Sequence, residues 1–378
     1  MRSGPRLFSE SSSSGLTSPS FSRDIRPPAN DTLVNVIDSG ASCKLLHASA
    51  VQSESAIILL RSRLLSVAQR IGFPEMEREN MALVAAEMVS NQIKYAQQRG
   101  QIQIWQQPGP TLDILALDYG PGIANMQQAL EDGFSSARTL GKGLGSIQRL
   151  AHEAAIYTQA AGGLHVKWTG TAVLARFSLN RKGRDAKPAP ISIGLFSRAL
   201  SDDRFNGDRI YLQREGSLVR WLHLDGLGHG EEAHRTIDGL ASCLNGNHPY
   251  AALEAADHQL SNTRGAVAIC GEIDSTSRHL SLLGVGDMHV ALHHQEQLRK
   301  LSFSPGVLGR EHKLATPFGE NLPGKTTILS ASDGIRRSWD ESSFPGLFHH
   351  PPQLIAYVLG NIMGRLSDDQ SLCVIGIS

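Results

Sequence analysis

The sequence predicts an α+β protein built from two unlike domains, and three observations lead there. The chain has 378 residues, above the size at which one hydrophobic core usually stops growing. A composition break at Arg181-Lys182-Gly183-Arg184-Asp185-Ala186-Lys187-Pro188-Ala189-Pro190, rich in charge, Gly and Pro and without apolar period, reads as a linker over 181–190. Apolar residues before the break recur mostly at helical spacing, whereas after it they fall into short strand-length runs with few helices between them. No internal repeat relates the two parts, so different folds are expected over 33–180 and 191–378.

Composition excludes several classes of function. Lys+Arg and Asp+Glu are both 36, a formal net charge of zero, which argues against a protein that coats phosphate backbones. No apolar run reaches the roughly 20 residues needed to cross a bilayer. Cys43, Cys243, Cys270 and Cys373 are scattered and form no CxxC pair. That excludes a disulfide framework or zinc knuckle and makes a reducing cytoplasm the natural compartment. Eight of the first twenty residues are Ser, and Pro27-Pro28 follow. Such a stretch buries too little apolar surface to offset chain entropy, so 1–32 is read as a disordered tail. Arg2, Arg6 and Arg23 lie in no amphipathic or cleavable pattern of a transit peptide.

In the first domain, Ile57, Leu60, Leu64 and Val67 predict a helix from about Ser53 to Gln69. A second should run from about Met76 to Gln97, placing Glu87, Asn91 and Lys94 on one face beside a stripe of Leu83, Ala86, Val89 and Ile93. Gln101–Trp105 and Leu112–Leu117 flank Pro108-Gly109-Pro110 as a hairpin. At the second strand's end stands Asp118-Tyr119-Gly120-Pro121-Gly122-Ile123. Here a carboxylate can accept hydrogen bonds while Gly120 and Gly122 let the backbone approach a ligand closely. Gly141-Lys142-Gly143-Leu144-Gly145 then leads into an expected helix from Ser146 to Ala155. Glycines opening a helix offer free N–H groups and a favourable dipole for phosphate. Each piece alone is commonplace, whereas their ordered combination is specific.

That combination resembles the ATP-binding domain of gyrase, histidine kinases and anti-sigma-factor kinases, and most of all the RsbT/RsbW-type switch kinases. The likeness rests on Glu87-x-x-x-Asn91-x-x-Lys94-Tyr95-Ala96, Asp118 to Ile123, and Asp132-Gly133-Phe134-Ser135 through Gly145. It covers roughly 33–180 and implies an ATPase α/β sandwich. It also implies that Asn91 holds a Mg²⁺ bridging the phosphates of ATP and that Asp118 accepts the adenine amino group. Glu87 would orient or deprotonate the attacking hydroxyl, and Gly141, Gly143 and Gly145 would wrap the triphosphate. Lys94 is either a source of positive charge near the phosphates or a solvated helix lysine. His152 lies on the wrong side of the glycines for a phospho-accepting helix and is read as structural.

Beyond the linker, strands are expected at Arg209–Leu212, Leu218–Leu224, Ala266–Cys270, Leu280–Val285, Val290–His293, Thr326–Ser330 and Leu372–Ile377, with helices near Glu231–Leu244 and Pro352–Met363. Acidic residues recur at strand ends beside glycine or a second Asp: Asp208 after Gly207, Asp225-Gly226, Asp333-Gly334, and Asp368-Asp369. Carboxylates on rigid strand ends suit hard divalent cations. One Asp-Gly is usually only a turn; four such sites in order are not.

These residues resemble the SpoIIE/RsbX branch of type-2C protein phosphatases, chiefly through Asp225-Gly226-Leu227-Gly228-His229-Gly230, with support from Gly284-Val285-Gly286-Asp287 and Pro305-Gly306-Val307-Leu308-Gly309. The likeness implies an α-β-β-α sandwich over 191–378 that holds two Mg²⁺ or Mn²⁺. Asp208 and Asp225 would bridge them, with the Gly226 carbonyl, Asp333 and Asp368 completing the site. Asp369 is the alternative to Asp368, and Ser371 is structural. His229 is either a proton donor to the leaving oxygen or a more distant support. Asp202 and Asp203 are either solvated or substitutes for missing acidic ligands.

Together the resemblances imply a cytoplasmic bacterial regulator that phosphorylates Ser or Thr with ATP and hydrolyses phosphoserine or phosphothreonine. Its partners would be STAS-domain antagonist proteins in partner switching, with a sigma factor or other output enzyme downstream, and neither nucleic acid nor membrane. Oligomeric state stays open, a homodimer included. A nucleotide-gated binding module with phosphatase as the only chemistry, and a degenerate phosphatase acting as scaffold, remain the alternatives.

Overall fold

The computed structural model describes residues 43–130, 140–160, 165–180, 189–313 and 316–378. The serine-rich tail, the Asp132–Ser135 motif and most of the expected linker lie outside them. In the N-terminal half the elements are β1 (Lys44–Val51), α1 (Ser55–Ile71), α2 (Glu75–Tyr95), β2 (Gly100–Gln107), β3 (Thr111–Asp118), α3 (Met126–Leu130), α4 (Leu140–Leu150), β4 (Glu153–Gln159) and β5 (Gly170–Ser178). The strands form one antiparallel sheet in the order β1-β2-β3-β5-β4.

α1 forms because Leu60, Leu64 and Ala68 recur at four-residue spacing and are buried. It ends at Gly72, whose left-handed backbone (φ +101°) turns its N–H onto the carbonyls of Ala68 and Gln69. α2 starts after Pro74, with Glu75 and Glu77 in its first turn and Lys94 in its last, the arrangement the helix dipole favours. Its buried stripe is Met81, Val84, Ala85, Met88 and Val89, one position off the expected one, and leaves Leu83 exposed.

The glycine segment differs from expectation. Gly141, Gly143 and Gly145 lie in the first two turns of α4 rather than in a loop before it. Leu144, Ile147 and Ala151 are buried at helical spacing in the core under α1 and α2. That burial outweighs the roughly 1 kcal/mol by which each glycine disfavours a helix. The helix also stops at Leu150, because Glu153–Gln159 pairs with β5 as a strand.

The C-terminal half contains β6 (Ile191–Arg198), β7 (Asp208–Glu215), β8 (Leu218–Gly226), α5 (Gly230–Ile237), α6 (Pro249–Leu260), β9 (Ala266–Asp274), β10 (His279–Val285), β11 (His289–His294), β12 (Gln297–Leu301), β13 (Phe318–Asn321), β14 (Thr326–Ala331), α7 (Pro352–Met363) and β15 (Gln370–Ile377). Two antiparallel sheets result, β13-β10-β9-β8-β7 and β12-β11-β14-β15-β6. Trp221, Ile269 and Leu282 of the first meet Val290, Ile328 and Val374 of the second in one core. α6 packs against β8, β9 and β10 on the outer side of the first sheet. The helix expected over Glu231–Leu244 is broken. α5 ends at Ile237, Gly239 adopts φ +83°, and a 3-10 turn continues over Leu240–Leu244.

α7 lies against β6 and β15 of the second sheet and also meets β4 and β5 of the N-terminal sheet. Nearly every residue from Gln353 to Gly360 is buried, as a helix with apolar residues all round requires. β3 is therefore covered on both faces. Leu112, Ile114 and Ala116 face α1 and α2, whereas Leu115 and Leu117 join the core containing α7. Asp113 on this second face receives two hydrogen bonds from Arg176 (2.7 and 2.8 Å) and one from the Tyr357 hydroxyl of α7 (2.8 Å). Gln107 donates in turn to that hydroxyl (2.6 Å). Among the described residues no helix is long and apolar enough to cross a membrane, and all four cysteines are free and buried.

Removing the cation from this buried group should unfold the chain more readily than removing the hydroxyl. Arg176→Met strands a fully buried Asp113 and should cost about 3–5 kcal/mol, whereas Tyr357→Phe should cost about 1–3 kcal/mol. Urea titration followed by tryptophan fluorescence measures both; equal losses would contradict this order.

Candidate functional sites

The first site gathers where β3 ends. Asp118 Oδ1 accepts hydrogen bonds from the N–H groups of Gly120 (2.8 Å) and Thr171 (3.1 Å). Its own carbonyl accepts from Trp168 Nε1 (2.9 Å), so both backbone and carboxylate are fixed. Burial pushes the carboxyl up, against these donors. Among the described residues no donor reaches Oδ2, which leaves that oxygen for a ligand. Gly122 continues the turn at φ +75°, where a Cβ would stand 2.4 Å from the Gln159 carbonyl oxygen. Only glycine fits there.

Asp118 and Asn91 border one cavity of about 300 Å³, closed by Gly122, Thr171, Leu144 and Ile147. Its walls are largely apolar with a few fixed polar groups, the usual make-up of a small-molecule site. A Cβ on Gly143 would lie 2.8 Å from Glu87 Oε2 and 3.3 Å from Asn91 Nδ2, so the α4 backbone rests on the polar face of α2. Glu87 and Gly143 thus meet beside Asn91, which lines the cavity together with Asp118. Gly120 acts through Asp118 rather than on the wall. Gly141 and Gly145 run in α4, and Lys94 is exposed and borders no part of the cavity. His152 is occupied structurally, bonded to Glu77 (3.0 Å) and to the Ser178 N–H (3.0 Å).

The second site lies on the two C-terminal sheets. Asp208 opens β7 and Asp225 nears the end of β8, directly opposite each other in the antiparallel register. Gly226 follows, where a Cβ would come within 2.8 Å of the Ala233 carbonyl oxygen. Asp333 follows β14, and Asp368 precedes β15. Asp369 is already engaged: its two oxygens accept from the N–H groups of Leu200 (2.7 Å) and Gly207 (2.8 Å). It braces the loop before Asp208 and leaves Asp368 as the available carboxylate.

Burial first, then repulsion from Asp208, Asp333, Asp368 and Asp287, pushes the Asp225 carboxyl up to about 10. Burial raises Asp208 to about 7 although two serine hydroxyls favour its ionised form. Asp333 is also raised by burial and by Asp368 and Asp287, against the opposing pull of Arg365 and Arg337. These clustered hard oxygens fit Mg²⁺ or Mn²⁺.

Beneath them runs a buried polar chain. Ser371 Oγ donates to Asp208 Oδ2 (2.7 Å), His223 Nε2 lies 2.7 Å from Ser371 Oγ, and His223 Nδ1 lies 2.9 Å from Ser330 Oγ. Burial lowers His223 to about 3, so the ring is neutral. With the Ser371 proton on Asp208, Nε2 carries the ring proton and Ser330 donates to Nδ1. The sequence points to the Gly284–Asp287 motif and to Ser371 as structural, but gives Asp287 no place in the site and does not single out His223 or Ser330. Asp287 carries the same mark as its partners, an Asp beside Gly at a strand end. His223 carries none, being one polar residue inside an apolar strand. His229 is exposed at the start of α5, and Asp203 is exposed. A cavity of about 450 Å³ adjoins Asp208 and draws Lys44 and Arg63 from the N-terminal half and Arg198, Arg204, Arg209 and His234 from the C-terminal half.

Comparison with known proteins places the first site in context. Residues 51–169 match the Histidine kinase-like ATPase domain family. The chain is 32% identical over 124 residues to the serine/threonine-protein kinase RsbT of Bacillus subtilis, an alignment covering 31% of this chain and 92% of that protein. Among solved structures, similarity extends to a chain of the bacterial stressosome, a modular system adapted to control secondary messenger signalling (23% identity, 50% of this chain and 100% of that one, TM-score 0.45). It extends also to the PP2C phosphatase domain and regulatory fragment of SpoIIE from Bacillus subtilis (17% identity, 86% of this chain and 95% of that one, TM-score 0.42).

Two outcomes follow from the geometry. Gly122→Ala should weaken nucleotide binding at least tenfold, read by titration with a fluorescent ATP analogue; unchanged affinity would separate this turn from the ligand. For the acidic site, both raised carboxyls bind protons more tightly folded than unfolded, where Asp titrates near about 4. Their stability contribution is thus present below about pH 4 and lost as pH rises through about 7 for Asp208 and about 10 for Asp225. The melting temperature of EDTA-treated protein should fall from pH 5 to pH 9. Asp225→Asn or millimolar Mg²⁺ should flatten the decline, and a rise with pH would refute the assignment.

Proposed function

Because the chain belongs to the RsbT family of serine/threonine kinases, we propose that it is a bifunctional regulator in which an ATP-dependent serine/threonine kinase and a metal-dependent phosphoserine/phosphothreonine phosphatase share one polypeptide. The reading is carried by one observation: two chemically distinct sites, each with its polar groups assembled, occupy different sheets. Asn91 and Asp118 border one cavity, and Asp208 faces Asp225 with Asp333 and Asp368 in their field.

In the kinase half, the free Asp118 oxygen accepts the adenine amino group while the Gly120 and Thr171 N–H groups hold the carboxylate in place. Asn91 is placed to hold Mg²⁺ on the phosphates, and the early turns of α4 bring backbone against Glu87 and Asn91. Glu87 orients the acceptor hydroxyl and takes its proton. Phosphoryl transfer has a loose transition state, so such positioning and charge neutralisation supply most of the catalysis.

In the phosphatase half, Asp208, Asp225, the Gly226 carbonyl, Asp333 and Asp368 hold two divalent ions. When bound, these supply an activated water and charge stabilisation for in-line attack at phosphorus. The chain's own contribution is orientation. Ser371, backed by His223, fixes Asp208, and Asp369 fixes the loop before it. The neighbouring basic cavity suits a phosphate-bearing segment of a protein substrate.

The substrates are STAS-domain antagonist proteins in a partner-switching circuit with a sigma factor or other output enzyme downstream. A phosphate of roughly −1.5 to −2 charge makes or breaks such an interface. Incubating the full chain with γ-labelled ATP, Mg²⁺ and a panel of STAS-domain proteins tests both halves. Glu87→Ala and Asn91→Ala should each lower label transfer at least 100-fold and leave Mn²⁺-dependent phosphate release intact. Asp225→Asn and Asp333→Asn should do the reverse. ATP-dependent capture of a STAS protein without transfer would replace the kinase with a nucleotide-gated binding module.

A further inference from the structure

Away from both sites, ligand-type atoms of three side chains converge. One ligand atom each from His293, Glu296 and Glu341 lies within 4.8 Å of the others. His293 is on β11, Glu296 is in the turn to β12 with φ +59°, and Glu341 begins a 3-10 turn beyond β14. His293 is only 5% exposed. Its Nε2 is sealed from solvent without a hydrogen bond, as are both carboxylate oxygens of Glu341. Nε2 stands 2.9 Å from Glu341 Oε2, at ion-pair distance but not aligned as a hydrogen bond. The Glu296 carboxyl lies against that of Glu341, and His349 Nε2 reaches Glu296 Oε1 at 2.7 Å.

Sealed polar atoms without partners are costly, and touching carboxylates repel. A cation between them removes both penalties. The imidazole is held for this purpose: its ring stacks on Phe348 (centroids 4.5 Å apart, planes at 22°), and Trp339 stacks on Phe348 in turn.

We propose that His293, Glu296 and Glu341 form a binding site for a divalent transition metal of the zinc class, with His349 bonded to Glu296 at its edge. Mixed imidazole and carboxylate donors select such an ion, unlike the all-oxygen set around Asp225. Tetrahedral bonds of about 2.1 Å place donor atoms about 3.4 Å apart, so the His293–Glu341 pair needs to open by only about half an ångström.

The site lies at the seam between the two halves. The Tyr157 hydroxyl of β4 is sealed without a partner, and the Glu341 charge acts on it. The Tyr157 ring stands edge-on to His350 (5.5 Å), and the Lys167 N–H donates to the Ser343 carbonyl (3.1 Å). A metal here ties the β11–β12 hairpin to the 341–350 segment on which the N-terminal sheet rests.

The test uses the full chain, stripped with chelator and carrying Asp225→Asn and Asp333→Asn to disable the acidic centre, titrated with Zn²⁺ against a chromophoric competitor. One Zn²⁺ per chain should bind, raising the melting temperature, and Co²⁺ in its place should give the intense visible absorption of a tetrahedral site. Adding Glu341→Gln or Glu296→Gln should weaken Zn²⁺ at least tenfold and abolish the thermal shift. Glu296 is exposed in a turn, so its variant keeps the fold, which circular dichroism checks. Unchanged Zn²⁺ affinity in both variants, or no Zn²⁺ retained by the parent, would overturn the site.

Discussion

The C-terminal half depends on one electrostatic conflict. Asp208, buried, and Asp225, half-buried, occupy the same rung of an antiparallel pair, where like charges destabilise a sheet. Among the described residues no basic side chain pairs with either carboxylate. The chain surrounds the pair with further carboxylates, Asp333, Asp368 and Asp287. Such a cluster can persist only by holding protons or by holding metal. The neighbouring structure serves to keep it from relaxing. Asp369 grips the loop before β7 by two backbone N–H groups, and Ser371 pins Asp208 from the next sheet. His223 fills the space beneath with a neutral ring, which supports Ser371 without adding charge.

The N-terminal site solves a different problem with the same economy of means. A nucleotide base needs an apolar slot and one oriented acceptor, so its carboxylate is single and held by backbone donors rather than opposed by other acids. Asp118 is raised by burial alone, whereas Asp225 is raised by burial and by four neighbours. That contrast suits the first site to a neutral donor group and the second to cations.

How much of this was legible in the sequence follows from where the signal resides. α1, α2, the β2–β3 hairpin and α7 carry apolar periods or turn residues of their own and could be read directly. β1, β4 and α6 could not: Lys44–Val51 and Glu153–Gln159 show no regular alternation, and the Ala-rich Pro249–Leu260 presents only a weak apolar stripe. The α4 glycines, expected to lead into a helix beginning at Ser146, lie inside it, because Leu144 and Ile147 bury in a core shared with α2. Strand-end aspartates were visible because the flanking glycines mark them. His223, His293 and Glu341 were not, since a polar residue becomes informative only once the fold shows that it is buried and what it faces.

α7 decides how the two halves relate. Gly360 lies so close to Phe196 of β6 that a Cβ would stand 2.4 Å from the ring, and Gln353 exchanges two hydrogen bonds with the backbone of Leu195. On its opposite side, Tyr357 and Asn361 bond Asp113, Gln107 and Gln103 of the N-terminal sheet. Pulling the halves apart would expose the packed Trp105, Phe196 and Tyr357 rings and strip Asp113 of one donor. Both costs fall together, so a hinge that opens freely at this seam is disfavoured. A signal passing between the two sites must therefore travel by small shifts of a shared wall, through α7 or the 341–350 segment, rather than by separation of independent domains.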